Sequence, residues 1–324
     1  MRRGVLLFNL GGPETLEDVR PFLYNLFSDP EIIRIRSGIL RRALARLIAS
    51  LRQGKSRRLY EQIGGGSPLR RITQAQASAL SGVLESRGYS ARVYVGMRCW
   101  KPGIDEAVQH ILEDQVTRLV LLPLFPQFSL TTTGSCLKFF RKLDSKFGLS
   151  SKIEIATIES WYDEPRYVEA MADLIRESIR RFAPDNDEEV FLLYSAHSLP
   201  ESYVREGDPY LDQTRRSMEL INAALGGGHP SSLAFQSRVG PVRWLRPSTK
   251  EALLKLAREG RTRVLVVPLS FVSDHIETLQ EIDIACRKMA LRAGIREFQR
   301  APALNTYPKF IQALADRVLA AGAF

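Results

Sequence analysis

Asp274, Glu277 and Glu281 stand three and four residues apart in SDHIETLQE, directly after the apolar run Val266–Val272. On a helix the three carboxylates share one face, where like charges at i,i+4 repel. The helix macrodipole favours acids in a first turn, which accounts for Asp274 and less well for Glu277, but not for Glu281 a turn further in. A bound or passing cation accounts for all three. His197, in Ser195-Ala196-His197-Ser198, follows a second strand-like run in the same half of the chain and can face the same cleft as Glu277. A neutral imidazole beside a carboxylate takes protons near pH 7 and holds divalent transition metals. The plainer reading has His197 hydrogen-bonding a loop. His275 points elsewhere on such a helix and reads as structural, as do His110 and His229.

The elements that must position these residues repeat. Thr117-Arg-Leu-Val-Leu-Leu-Pro-Leu124 and Thr262-Arg-Val-Leu-Val-Val-Pro-Leu269 are continuous apolar runs, as central parallel strands covered on both faces require. Val5–Asn9 and Phe191–Ser195 form a weaker second pair. Helical patterns at 104–114, 167–182 and 248–259 alternate with them, which indicates two doubly wound α/β domains. The first half carries about 40 more residues between its paired strands. We place them at 28–68, over the carboxyl edge of the sheet where such folds bind ligands, and read them as a lip. Within the lip, Ile39, Leu40, Ala43, Leu44, Leu47, Ile48 and Leu51 keep helical periodicity, and Arg41, Arg42, Arg46, Arg52, Lys55, Arg57 and Arg58 surround them. Two readings stand: a helix capping the protein's own core, favoured by periodicity alone, and a basic surface docking on anionic lipid. The expected domains are 1–160 and 161–304, with a final helix at 305–324 that packs back on the first.

The 324 residues hold 46 Lys+Arg against 36 Asp+Glu, a net charge of +10, which suits an anionic partner without choosing one. No recognised nucleic-acid module is present. Cys99, Cys136 and Cys286 make no CxxC pair, which fits a reducing compartment and argues against a cysteine-bound zinc or iron–sulfur centre. The first apolar run is short and enters Gly11-Gly12-Pro13, so it reads as a strand and the chain as cytoplasmic, peripheral at a membrane if the lip docks there. LGGP and GGGSP lack both the dinucleotide and the phosphate-loop patterns, and their glycines suit tight turns and close backbone approach.

FNLGGPETLEDVRPFLYNLFSDPEII, YEQIGGGSPLRRIT, YVGMRCWKP, FPQFSLTTTGS, SAHSLPES, FQSRVGPVRWLRP and SFVSDHIETLQEID together resemble the motifs of ferrochelatases, in family order, over residues 8 to 283. The resemblance implies an α/β chelatase-like fold of two similar Rossmann-like domains with parallel sheets and the active cleft between them. It implies a lyase that inserts Fe2+ into protoporphyrin IX to form protoheme, releasing two pyrrole protons. His197 and Glu277 match the catalytic positions, and His197, Glu277 and Glu281 those that meet the metal. Leu10, Phe22, Leu23, Tyr60, Ser67, Arg98, Trp244 and Phe271 match positions around the porphyrin, with Arg98 and the basic lip as donors to its propionates. Asp274 and Glu281 would attract the cation and Glu277 hand it on. Iron is then a substrate, no cofactor or iron–sulfur cluster is expected, and the partners are protoporphyrin IX and ferrous iron, with membrane contact through the lip and no nucleic acid. Cys99, Lys101 and Gln280 stand where the family commonly has Tyr, His and Tyr, and Ala285 replaces an acid, which shortens any acidic path. A coproporphyrin III ferrochelatase, another tetrapyrrole chelatase and a non-catalytic heme or porphyrin carrier remain the alternatives.

Overall fold

The computed structural model of the chain describes residues 2–182, 189–238 and 242–322. It divides into two compact units, Met1–Trp161 with Ile311–Phe324, and Tyr162–Phe310. The first holds strands β1 (Arg3–Asn9), β2 (Ala91–Met97), β3 (Arg118–Pro123) and β4 (Glu154–Thr157). The second holds β5 (Phe191–His197), β6 (Ser231–Gln236), β7 (Arg263–Pro268) and β8 (Glu297–Arg300). Both sheets are wholly parallel, in the orders β2-β1-β3-β4 and β6-β5-β7-β8. The two strand pairs matched by sequence, β1 with β5 and β3 with β7, thus occupy the same places in the two sheets.

Hydrophobic burial explains the central strands. All six residues of β7 are buried, as are five of the six in β3, and each fully buried Val or Leu contributes about 1.5–3 kcal/mol. Leu6, Phe8, Leu119 and Leu121 meet Ile104, Val108, Ile111 and Phe140 in the first core. Leu193, Val264 and Val266 meet Leu253, Leu256 and Ile282 in the second. Helix Thr249–Arg258 starts at a capping box in which Ser248 Oγ accepts from Glu251 N–H and Glu251 accepts from Ser248 N–H.

Helices Val19–Ser28, Gly38–Glu61 and Leu69–Ser86 lie between β1 and β2, where the second unit has only Glu201–Arg205 and Tyr210–Ala224 between β5 and β6. The apolar stripe of Gly38–Glu61 does not cap a core. Ile39, Leu40, Leu47 and Leu51 are exposed, Leu51 at 75%, and the face packed inward carries Ala45, Ala49 and Tyr60. Small residues let this helix lie close to Val19–Ser28, so Ile39, Leu40, Leu47 and Leu51 turn to solvent while Leu44 and Ile48 are half-buried. Arg46 lies over the Tyr24 ring and Arg52 over Phe27, while Arg41 donates to the Ser28 and Ile35 carbonyls. No described helix is long and apolar enough to cross a membrane.

Candidate metal and proton site

His197 ends β5, Gln236 ends the neighbouring β6 directly opposite it in register, and Glu277 opens the helix that follows β7. Three adjacent strands thereby deliver side chains beyond their carboxyl ends, where open parallel sheets bind ligands. His197 Nδ1 lies 2.9 Å from Glu277 Oε2. The same oxygen accepts from Ser237 Oγ at 2.7 Å and lies 3.3 Å from Gln236 Nε2. Gln236 is held in that sense by Ser195, whose hydroxyl donates to Gln236 Oε1 at 2.6 Å. Two bonds fix the backbone of His197: its N–H donates to Ser270 Oγ at 2.8 Å, and its carbonyl accepts from Tyr210 Oη at 2.9 Å. The imidazole itself remains 39% exposed.

Electrostatics bind the pair. Burial works against the Glu277 carboxylate, but the charge and hydrogen bond of His197, then His275 and the Ser237 hydroxyl, outweigh it and hold its pKa at about 2. Burial likewise works against the His197 imidazolium, and the Glu277 carboxylate overcomes it, raising the pKa above the ordinary histidine value. His275 is the opposite case: burial dominates and lowers its pKa. It bonds the Ser273 carbonyl through Nδ1 at 3.1 Å and packs on Phe271, ring centroids 4.6 Å apart, with Nε2 3.9 Å from Glu277 Oε1. Phe271 also stands edge-on to His197.

The acidic face differs from the sequence expectation in two ways. The segment Glu277–Cys286 is a π-helix rather than an α-helix, with the Arg287 N–H reaching back five residues to the Ile282 carbonyl. Asp274 does not join the other carboxylates. Its Oδ1 takes Arg300 Nη1 at 3.0 Å and Thr278 Oγ1 at 2.9 Å, and its Oδ2 takes Asn305 Nδ2 at 2.9 Å. With its charge balanced by Arg300 and its oxygens hydrogen-bonded, Asp274 anchors the segment and does not stand in the row with Glu277 and Glu281. Glu281 meets Glu277 through the Ser237 hydroxyl, 2.6 Å from Glu281 Oε2. Among the described residues no three His, Cys, Asp or Glu side chains converge to hold a metal. His197, Glu277 and Glu281 form a row rather than a cage.

In the first unit, the turn after β1 and the turn after β2 are joined: Arg98 N–H donates to the Asn9 carbonyl and Cys99 N–H to that of Leu10. Phe22 stands edge-on to Trp100, centroids 6.1 Å apart. The glycine turns pack on each other so closely that a Cβ on Gly12 would lie 2.7 Å from Ser67 Oγ, and one on Gly66 1.9 Å from the Glu14 carbonyl oxygen. Phe22, Leu23 and Tyr60 are almost fully buried. Arg98 is not a free donor. It pairs with the buried Asp29 at 2.9 Å, donates to Ser135 Oγ at 2.9 Å and lies over the Phe139 ring. In the second unit, Trp244 bridges to Pro200, and its indole N–H is buried without a hydrogen-bond partner among the described residues.

The sequence model of the family described as Ferrochelatase matches residues 2–321. The chain belongs to the ferrochelatase family. A protein named Ferrochelatase from Gloeothece citriformis is 52% identical over 98% of this chain and 82% of its own length. One of the same name from Synechocystis sp. is 53% identical over the same shares. Solved structures give the fold. SirB from Bacillus subtilis, determined with Fe3+, superposes with a TM-score of 0.57 at 13% identity, over 100% of this chain and 96% of that one. CbiX, described as the terminal enzyme of siroheme biosynthesis in denitrifying bacteria, gives 0.51 at 15% identity, over 98% and 99%. The two parallel sheets are therefore those of a chelatase fold.

Sequence reasoning did not single out Ser237 or Gln236 at the site, and it read His275 as structural, beside the acidic face but pointing elsewhere; the structure places its Nε2 3.9 Å from Glu277 Oε1. Ser237 and Gln236 both lie in FQSRVGPVRWLRP, one of the motifs that carry the resemblance, and that was the signal that could have found them. Gln236 had a second: it ends a strand neighbouring the one that His197 ends.

Proposed function

We propose that this chain is a lyase that inserts Fe2+ into protoporphyrin IX to form protoheme, releasing two protons. The observation that carries the reading is the His197–Glu277 pair at 2.9 Å, extended through Ser237 to Glu281. Two pyrrole N–H protons must leave before iron can be held by four nitrogens, so a base has to face the ring. Glu277 favours the imidazolium form of His197; once that ring gives up its Nε2 proton while keeping Nδ1–H on Glu277, Nε2 presents a lone pair. That lone pair can hold iron or a proton but not both, so the two uses follow one another. Fe2+ arrives hydrated and exchanges waters for carboxylate oxygens, first at Glu281 and then at Glu277. A row of ligands suits a cation that must be released, whereas a closed cage would retain it.

In the first unit Leu10, Phe22, Leu23, Tyr60 and Ser67 are the proposed porphyrin contacts, and Arg98 is proposed as a brace for that unit's residues, since Asp29 and Ser135 already take its guanidinium. In the second unit Trp244 and Phe271 are the proposed contacts, and the Trp244 N–H, without a partner among the described residues, supports a polar contact. The chain needs no resident cofactor on this reading. Burial raises the pKa of all three thiols, to about 12 for Cys99 and Cys286.

The test is absorbance-monitored metallation of protoporphyrin IX with Fe2+ under anaerobic conditions, with coproporphyrin III in parallel. Turnover by the wild type and its loss in His197→Ala support the proposal. Faster turnover of coproporphyrin III would assign that substrate, and tight porphyrin binding without metallation would indicate a carrier.

We also propose that helix Gly38–Glu61 rests on an anionic lipid surface. Exposed Ile39, Leu40, Leu47 and Leu51 share the helix with exposed Arg42, Arg46, Lys55 and Arg58, the combination an interfacial helix uses. Co-sedimentation with vesicles containing anionic lipid should exceed that with neutral vesicles and should fall in a Leu47→Glu/Leu51→Glu variant. Equal sedimentation of the variant would remove the proposal.

A further inference from the structure

Ser237 lies one residue beyond β6 with φ +65°. Glycine occupies this left-handed region freely, and a residue with a Cβ occupies it at a cost, so the side chain should serve a purpose here. Its oxygen touches two carboxylates, Glu277 Oε2 at 2.7 Å and Glu281 Oε2 at 2.6 Å, and its backbone N–H donates to Glu281 Oε1 at 3.2 Å. A hydroxyl carries one proton. With both carboxylates ionised, only one of the two short contacts is a hydrogen bond, and the other sets lone pairs against each other. The left-handed turn is what lets hydroxyl and N–H reach the same carboxylate together.

From this geometry we propose that Ser237 is a positioning residue for metal hand-over. It aims the Glu281 and Glu277 carboxylates at one point, so that Fe2+ held at Glu281 reaches Glu277 by exchanging one oxygen ligand for another. A cation there supplies the positive charge that the single hydroxyl proton cannot share between two acids. The proposal rests on reading the site as one of metal insertion. A merely structural serine is the competing explanation, and the backbone conformation separates the two. Ser237→Gly removes the hydroxyl while relaxing the turn, whereas Ser237→Ala removes the hydroxyl and keeps the strain.

The experiment measures, for wild type, Ser237→Gly, Ser237→Ala and Glu281→Ala, the KM for Fe2+, the KM for protoporphyrin IX and the thermal midpoint. It adds a titration of the porphyrin-free protein with Zn2+. We expect both serine variants to raise the Fe2+ KM about tenfold and to weaken Zn2+ binding comparably, the range seen when groups orienting a metal ligand are lost. The porphyrin KM should stay within about twofold on the same grounds. Ser237→Gly should melt no lower than wild type, and Ser237→Ala below Ser237→Gly. An unchanged Fe2+ KM in Ser237→Gly, alongside a raised one in Glu281→Ala, would overturn the proposal and leave the insertion reading intact. Absence of metallation by the wild type would instead overturn that reading, and the Zn2+ titration would then decide the positioning role alone: equal affinities for wild type and Ser237→Gly refute it.

Discussion

Replacing Asp274 by Asn separates the anchor of the π-helix from its proposed metal-handling face. The substitution keeps shape but turns one carboxylate oxygen into an amide nitrogen. Placed at Oδ1, the amide faces Arg300 Nη1 and Thr278 Oγ1; placed at Oδ2, it faces Asn305 Nδ2. Either way a donor meets a donor, and the side chains of Asp274 and Arg300 are only 16% and 10% exposed. A hydrogen bond to a charged group contributes about 1.5–3 kcal/mol. Asp283 Oδ2 stays 3.5 Å from Arg300 Nε, so the guanidinium is not left wholly unpaired and the loss falls below that of a broken buried ion pair. We expect about 2 kcal/mol of destabilisation, which a chain with a typical 5–15 kcal/mol survives. The assay pairs urea unfolding with the Fe2+ KM. Asp274→Asn should lower the unfolding midpoint and leave the Fe2+ KM unchanged; Glu281→Gln should raise the KM and leave the midpoint nearly unchanged. An Asp274→Asn protein with full stability and a raised Fe2+ KM would refute the separation of roles.

Removing Arg98 strands the Asp29 carboxylate, whose side chain has no solvent exposure. Arg98→Met should therefore lower the thermal stability, by about 3 kcal/mol, and unchanged melting would contradict its role as a brace. Glu251 takes the Ser248 N–H and then the Arg238 and Arg246 charges, which lower its pKa below the ordinary glutamate value. A depressed carboxylate adds stability that is present above its unfolded pKa and fades as pH falls through the folded value. The stability gap between wild type and Glu251→Gln should thus be full at pH 7 and shrink steadily below pH ~4.5; a gap constant down to pH ~3 would contradict it. Ser248→Ala should cost about 1 kcal/mol by loss of the same cap, read from the unfolding midpoint.

Doubly covered parallel strands were legible because both faces of β3 and β7 must be apolar, which leaves continuous runs only six residues long, too short for an ordinary buried helix. Their repetition carried the duplicated sheet order with it. That His197 and Glu277 meet was legible for a related reason: each stands at or after the end of such a run, and strand ends are where the fold presents side chains. What stayed hidden depends on partners distant in sequence. Asp274 looked like a third acid because Arg300 and Asn305, which claim it, come from β8 and the loop beyond. The lip's apolar periodicity was real, but Ala45 and Ala49 show that close packing can select the small residues of a helix and leave large ones outside. Nor does any residue pattern in Glu277–Cys286 announce a π-helix, and Ser237 acquires its role only through a backbone angle.

Direct metallation gives the plainest test of the central claim. Wild-type protein, protoporphyrin IX and Fe2+ under anaerobic conditions should give the protoheme spectrum with turnover, and His197→Ala should bind the porphyrin yet metallate it at least about 100-fold more slowly, the contribution of a lost general base. Equal rates in the two proteins would show that the His197–Glu277 pair is not where the protons leave.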